Sequence, residues 1–581
     1  MEFTYETNDT INNFSVAEFS LNDVFYYTIS ISFNELHIPK EFTIKFNIPM
    51  LDTSGIWTPL NSANTEIQPE WCKKASESQI ASGMPLLCGY SAGGTNRFTA
   101  ALSEIRSNTY LGAGVVEENC NCEFAIKLFR TPVEPIEEYS FTLRLDFRQI
   151  PYYNAIMDVK NWWENEIGAI PCPVPESATH PVYSTWYNFH QNISAEELLN
   201  ELKVAKSLGF DTIIVDDGWQ CDDNNRGYTY AGDWIPAHSK IGDPKHFTDE
   251  CHKLGIKVIF WYSVPFIGYE AYNFKRFSDK YLSMDDGMKC AVLDPRFRDV
   301  REFLTTLYIQ AVTNYGLDGL KLDFIDKFEL TSGSSTNYAA MDIPILEDAV
   351  FTLMSEIHQK LTAISPEIMI EFRQKYVGPA ICAFGNMLRV SDCPYSGMTN
   401  ARGIIDLRLT SGQTVVHTDM SMWHCNTSNE DVARQLFLGL FAVPQISVML
   451  NKLLSQHKEV IKIFLDYWNN NKSLLLNGDF SCSTPSNTYS FAKVSGKNKD
   501  IVLLITKNVA QVNSKNTDIL NATGEDHIYL DLTHKTNFCT LIVTNSLGRT
   551  HFATNITEPN ILKIDAPTGS YISVMFNTQK D

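Results

Sequence analysis

The chain has 581 residues, 44% hydrophobic and 20% charged, which is ordinary for folded globular domains but too long for one compact core. A formal net charge of −21 argues against nucleic acid and anionic membranes as partners, because both would repel it, and a neutral small molecule meets no such penalty. The 13 cysteines lack zinc-site spacing, Cys120 and Cys122 standing alone as a pair, so free thiols in a reducing compartment are expected.

Residues 1–170 read as an N-terminal β-sandwich. Glu41–Ile48 and Tyr139–Phe147 alternate apolar and polar side chains with the period of a half-buried strand. The start, MEFTYETNDT, shows neither the basic residues nor the apolar stretch of a signal peptide, so a cytoplasmic protein is expected. A Pro-rich stretch, Pro171-Cys-Pro-Val-Pro, reads as a linker into the next region.

Residues 171–477 change texture. Eight apolar runs, 182–189, 212–219, 257–264, 319–325, 368–374, 386–392, 414–420 and 446–452, alternate with helical patterns. Ser194-Ala-Glu-Glu197 is a capping box and Gly209 the matching stop; Ser428 and Asp431 open another helix. Eight such units predict a (β/α)8 barrel, since the first run ends without the Gly-rich loop of a nucleotide-binding open sheet. The run Leu436–Leu450 is broken by Pro444 and Gln445 and is too short for a bilayer. Residues 478–581 return to short strands such as Asp500–Thr506 and Cys539–Thr544, a smaller C-terminal antiparallel β domain. The whole is thus read as a multidomain α/β chain with a central TIM barrel.

Barrel chemistry gathers at the C-terminal ends of the strands. There the chain places Asp216-Asp217-Gly218-Trp219, Lys321-Leu-Asp323, Glu371-Phe-Arg373, Arg389-Val-Ser-Asp392 and His417-Thr-Asp419. Carboxylates at five strand ends are costly to bury without partners, which points to a site. Lys321 and Asp323, two apart, face the same side, and a nearby ammonium would keep the carboxylate ionised. A buried ion pair that only satisfies the core would show the same spacing, so both readings stand at this point. His417 and His424 flank Trp423 without metal-ligand spacing; no metal and no cofactor are expected.

The array resembles glycoside hydrolase family 36 and its clan, on the strength of Asp216-Asp217-Gly218-Trp219, Lys321-Leu-Asp323 and Arg389-Val-Ser-Asp392 together with the β domains on either side. The resemblance implies a retaining α-galactosidase in which Asp323 attacks the anomeric carbon and Asp392 serves as acid and base. It also implies that Asp216 and Asp217 accept the 4- and 6-hydroxyls, that Lys321 and Arg389 donate to the sugar, and that Trp186 and Trp261 wall it, although core packing explains either tryptophan equally well. An aromatic of the first domain, Trp57 or Trp71, is expected to reach the mouth. Arg389 stands three residues before Asp392, where many bacterial members place it four before, which leaves preference at the 2-position open. Glu371 and Asp419 are lesser candidates for the acid and base. An α-N-acetylgalactosaminidase, a raffinose-synthase-like transglycosidase and an inactive carbohydrate-binding protein are the competing readings. The sequence leaves a homo-oligomer open.

Overall fold

The structure, a computed structural model, describes residues 1–513, 515–534 and 538–576. Two antiparallel sheets, of five and six strands, form the N-terminal sandwich. The predicted alternation is plain in Phe42–Pro49, where Phe42, Ile44, Phe46 and Ile48 are buried and Asn47 and Pro49 exposed. Phe46 stacks on Phe124, 4.7 Å between centroids, and meets Ile29, Ile31 and Leu143 of the other sheet in one core. Each such side chain contributes about 1.5–3 kcal/mol on burial. A helix that the strand-like reading overlooked, Tyr152–Asn165, follows the sandwich and turns Tyr152, Ile156, Val159 and Trp163 into the barrel's core.

The barrel has eight parallel strands: Val182–Ser184, Thr212–Val215, Lys257–Ser263, Gly319–Asp323, Met369–Arg373, Met387–Arg389, Val415–His417 and Gln445–Ile446. We number them one to eight. Pairing runs from seven down to one and on to eight, and parallel bridges from His417 to Val443 and from Ser421 to Ile446 close the ring. Seven of the eight predicted runs contain their strand, and the eighth, 446–452, meets strand eight only at Ile446; most strands stop sooner than the apolar text does. Trp186 opens a short helix, Trp186–Phe189, and Asp392 lies three residues beyond strand six.

Predicted punctuation works as hydrogen bonding. Ser194 Oγ accepts from the Glu197 amide at the start of helix Ala195–Leu208, which ends on Gly209 at φ +110°. Ser428 caps Asn429–Phe437 in the same way. One excursion was not foreseen: between strand three and helix Arg298–Tyr315 a small antiparallel sheet, Phe266–Gly268, Tyr281–Asp285 and Cys290–Leu293, rises beside the mouth. The C-terminal region forms a seven-stranded and a three-stranded sheet, mostly antiparallel, with one parallel pairing in each. Among the described residues no helix is long and apolar enough to cross a membrane.

The three regions meet at a buried carboxylate. Asp406, on helix Gly397–Thr410, accepts hydrogen bonds from Trp57 Nε1 (3.1 Å) and Ser62 Oγ of the sandwich and from Tyr489 OH (2.6 Å) of the C-terminal region. Burial raises this carboxyl to about 6 despite those donors. Trp57 is therefore not an arm over the mouth. Its ring is fully buried and its N–H is committed to this junction. Trp71 sits on the turn Glu70–Cys72 and is exposed.

Candidate active site

Strand register decides which side chains share the barrel mouth. Lys321 of strand four lies opposite Trp261 of strand three and Glu371 of strand five; one level on, Ser263 lies opposite Asp323, and Arg373 opposite Arg389. The result is a cluster of carboxylates interleaved with three cations.

Asp323 ends strand four with only 7% of its surface exposed. Its Oδ1 accepts from Arg373 Nε (2.6 Å), Tyr376 OH (2.8 Å) and the Phe324 amide (2.7 Å), and its Oδ2 from Trp261 Nε1 (3.1 Å). Burial acts to raise this carboxyl. The Arg373 guanidinium first, then Lys321 and the Trp261 and Tyr376 donors, outweigh burial and hold it well below the usual carboxylate range. The Lys321 ammonium does help to keep Asp323 ionised, as its spacing predicts. Lys321 Nζ bonds Asp216 Oδ2 at 2.6 Å and reaches Asp323 only through space. Phe324 follows at φ +62°, a conformation that costs a side-chain-bearing residue about 1–2 kcal/mol and that aims its N–H back at Asp323.

Asp216 and Asp217 lie just past strand two, which ends at Val215, so strand alternation no longer separates them. Both are buried. Asp217 is clasped by two neutral amides, Gln191 Nε2 at 2.7 Å and Gln220 Nε2 at 2.8 Å, and burial lifts it to about 6. Gly218 is required here. It stands at φ +114°, and a Cβ would come within 2.4 Å of the Gln191 backbone, displacing the amide that holds Asp217. Trp219 completes the motif from below by donating to the Trp261 carbonyl at 2.9 Å.

Arg389 is a buried hub, 1% exposed. It donates to Asp392 Oδ1 (2.8 Å) and Asp419 Oδ1 and lies 3.5 Å from Glu371. Asp419 is further held by Tyr187 OH (2.8 Å) and the Cys393 amide (2.7 Å), which anchors the loop bearing Asp392. Asp392 alone of these three carboxylates is open, its side chain 52% exposed. Burial acts to raise it, but Arg389 and then Lys321 keep it below its ordinary value while Asp323 pushes the other way. Glu371 and Asp419 are wholly enclosed and raised by burial. Trp186 is half-buried with its ring edge-on to His190 at 4.8 Å, and Trp261 is buried against Trp234 and Tyr228.

Sequence reading passed over Tyr376, Tyr187, Gln191 and Gln220. Neutral donors carry no motif of their own, and all four lie outside the strands. Arg373 was legible: it shares its face with Glu371, two residues earlier on strand five. No group of His, Cys, Asp and Glu among the described residues converges as a metal site. A large cleft of about 1150 Å³ opens at the other end of the barrel, beside Lys160, Arg408 and Thr414, and contains none of these carboxylates.

Comparison with known proteins bears on family likeness and fold. Residues 175–434 match the melibiase family model. This stretch, which takes in the first seven strands of the barrel, is similar to a melibiase domain. An α-galactosidase of Lactobacillus acidophilus is 27% identical over 169 residues, 28% of this chain and 21% of that protein, and α-galactosidase 1 of Pediococcus pentosaceus is 25% identical over 202 residues, 32% of this chain and 26% of that one. The chain thus covers only about a quarter of the length of these curated relatives. The fold likeness extends further. The family-36 α-galactosidase AgaB of Geobacillus stearothermophilus superposes with a TM-score of 0.68 at 11% identity, over 99% of this chain and 86% of its own. The Lactobacillus brevis α-galactosidase gives 0.66 at 12% identity over 100% and 86%. A substituted AgaA from Geobacillus stearothermophilus in complex with raffinose gives 0.65 at 12% over 99% and 87%. The sandwich, barrel and C-terminal β region therefore share one arrangement with family-36 enzymes.

Proposed function

We propose that the protein is a retaining α-galactosidase that releases terminal α-galactosyl units from small oligosaccharides by double displacement. The observation that carries this reading is the pairing of unlike carboxyls: Asp323, enclosed and held ionised, beside Asp392, open and poised on Arg389. Retention needs one carboxylate as nucleophile and another that first gives and then takes a proton.

The hydrogen bonds favour Oδ2 of Asp323 as the attacking atom. Three donors engage Oδ1, whereas Oδ2 accepts one among the described residues, from Trp261. Attack forms the C1–O bond as the glycosidic bond breaks, and Asp392 passes its proton to the departing oxygen. A bound sugar covers the exposed half of Asp392, and loss of water together with the Asp323 charge raises its pKa toward that of an acid. Once Asp323 is esterified its charge is gone, the pKa of Asp392 falls, and the same group draws a proton from water as the water oxygen bonds C1 and the C1–Oδ2 bond to Asp323 breaks, freeing the sugar and restoring the carboxylate. Asp216, Asp217 and Lys321 supply acceptors and a donor for the sugar hydroxyls, with Trp261 and Trp186 as walls; Arg389 sets the place and charge of Asp392. Raffinose and stachyose, bound in complexes of the Geobacillus relative, are the substrate class to test first.

The test compares 4-nitrophenyl α-galactoside and α-N-acetylgalactosaminide with wild type, Asp323→Ala and Asp392→Ala, adding azide to each variant. Cleavage of the galactoside, loss in Asp323→Ala and rescue as β-galactosyl azide support the reading. Preference for the acetamido sugar keeps the mechanism and changes the substrate. Full activity in Asp323→Ala refutes it.

A further inference from the structure

Two of the four donors that hold Asp323, Arg373 and Tyr376, lie on a segment, Arg373–Gly378, that leaves strand five and touches the N-terminal sandwich. The Gly83 amide donates to the Lys375 carbonyl at 3.0 Å. Three residues on, Gly378 packs so closely that a Cβ there would meet the Gly83 carbonyl oxygen at 2.9 Å and the Ile80 oxygen at 3.7 Å. Between these two contacts stands Tyr376, buried, its OH on Asp323.

The sandwich side of the contact is firmly built. Gln79 and Ser82 exchange backbone hydrogen bonds, the Ile80 amide donates to Arg106 O at 2.9 Å, and Ser76 Oγ donates to Met84 O at 2.7 Å. Gly83 closes the turn at φ +69°, where a Cβ would strike Glu77 O at 2.2 Å. Ile80, Ala81 and Met84 are buried in the core they share with the barrel. The Arg106 guanidinium lies 3.7 Å over the Phe351 ring of helix Leu346–Ile364. Within the segment the bonds are few, Tyr376 N to Arg373 O at 3.1 Å, Val377 N to Lys375 O at 2.9 Å and Arg373 Nη1 to Gln374 O at 3.0 Å. Its ends are tied to the barrel by Gln374 N to Arg389 O at 2.9 Å, Ser391 Oγ to Gln374 O at 2.9 Å and Cys382 N to Gly378 O at 3.3 Å.

We propose that the sandwich turn Gln79–Met84 is a positioning element for catalysis, setting Tyr376 and Arg373 against Asp323 through the Gly83–Lys375 and Gly83–Gly378 contacts. This rests on the reading of Asp323 as nucleophile. The N-terminal domain thereby acts on the reaction through this turn. The charged and titratable groups facing Asp323 are Arg373, Lys321, Asp326, Asp392, Tyr228 and Tyr376, and only Arg373 and Tyr376 belong to the supported segment.

Gly378→Ala in the full chain tests it, because Gly378 lacks a positive φ and alanine adds one methyl at the contact. Gly83→Ala is the harsher companion. Thr131→Val is the control: it removes the 2.8 Å bond from the sandwich to Glu347 on the same helix as Phe351 but spares the turn. Gly378→Ala is expected to lower kcat on 4-nitrophenyl α-galactoside by about 10- to 100-fold with KM nearly unchanged. Its acid limb in kcat should move up by about one pH unit as the donors loosen. Thr131→Val should lower Tm and leave both readouts alone. Wild type is also trapped with 5-fluoro-α-galactosyl fluoride and the labelled peptide identified by mass spectrometry. If Asp323 is labelled yet Gly378→Ala matches wild type in kcat and acid limb, the positioning role is wrong. If Thr131→Val shifts the acid limb equally, any loosening of the interface suffices and the specific role is likewise overturned. If the label falls elsewhere, the nucleophile reading fails and the inference falls with it.

Discussion

Arg373→Met isolates the charge that keeps Asp323 ionised. The guanidinium lies 2.6 Å from a carboxylate that is 7% exposed, so solvent screening is slight. Removing one partner of a buried pair costs about 3–5 kcal/mol. At 1.36 kcal/mol per unit this corresponds to about 2–4 units of pKa. The wild-type carboxyl sits well below the usual range, so its stabilising contribution is present above about pH 3.9 and is lost only as pH falls through the native value. In the variant burial is unopposed by the direct cation, and that contribution shrinks to nothing or changes sign. Catalysis reports the same shift. The acid limb of kcat, read with substrate saturating so that Asp217 is already ionised, should rise by about 2–4 pH units. At pH 7 the nucleophile is still ionised, so the remaining loss there measures misplacement alone. Tyr376→Phe removes a neutral donor to the same charge, worth about 1.5–3 kcal/mol, and should move the limb about half as far. A profile for Arg373→Met that runs parallel to wild type down to pH 4 would refute the assignment of Arg373 as the controlling cation.

Three further outcomes are expected. Asp392→Asn should lose about 10²–10⁴-fold on raffinose but far less on 4-nitrophenyl α-galactoside, whose good leaving group needs little protonation; equal losses on both would remove Asp392 as the acid. Asp406 has a raised native pKa of about 6, so its share of stability is full below about pH 3.9 and falls as pH rises to 6, by about 3 kcal/mol in all. Thermal unfolding of Asp406→Asn across pH 4 to 7 should therefore show a flatter decline than wild type, and unchanged slopes would argue against this titration. Trp57→Phe deletes the indole donor at the three-way junction and should lower stability by about 1–2 kcal/mol with KM unchanged; a raised KM would return Trp57 to the mouth.

Much of the fold was legible because the barrel's period is carried by buried β-branched and aromatic runs that nothing else explains, such as Thr212–Val215 and Lys257–Ser263. Strand ends were less so. Trp186 and Asp392 continue an apolar text after the chain has left the sheet, since a loop buried against the barrel needs the same side chains as a strand. The sheet Phe266–Leu293 escaped notice because its short segments interrupt what reads as one long connection. Trp57 was misplaced for a related reason: an indole at a domain junction and an indole over a sugar look alike until Asp406, 349 residues away, is seen to hold it.

Pairing within the site was the part the chain could not express. Lys321, Arg373 and Arg389 are all visible at strand ends, as are the acids, but which cation meets which acid depends on register between strands. Adjacent spacing suggested Lys321 for Asp323. The barrel instead turns Lys321 toward strand two and brings Arg373 across from strand five. This division of cations has a consequence for the sugar. Lys321 is taken by Asp216, Arg373 by Asp323, and Arg389 by Asp392 and Asp419, which leaves Asp217 with two amides and a pKa of about 6. Asp217 is thus the acid whose charge is least compensated by a direct partner, and a sugar hydroxyl donating to it would gain the strength of a charge-assisted bond while lowering its pKa. Galactoside binding should therefore draw Asp217 into its ionised form, and affinity should weaken below about pH 6 through this group rather than through Asp323.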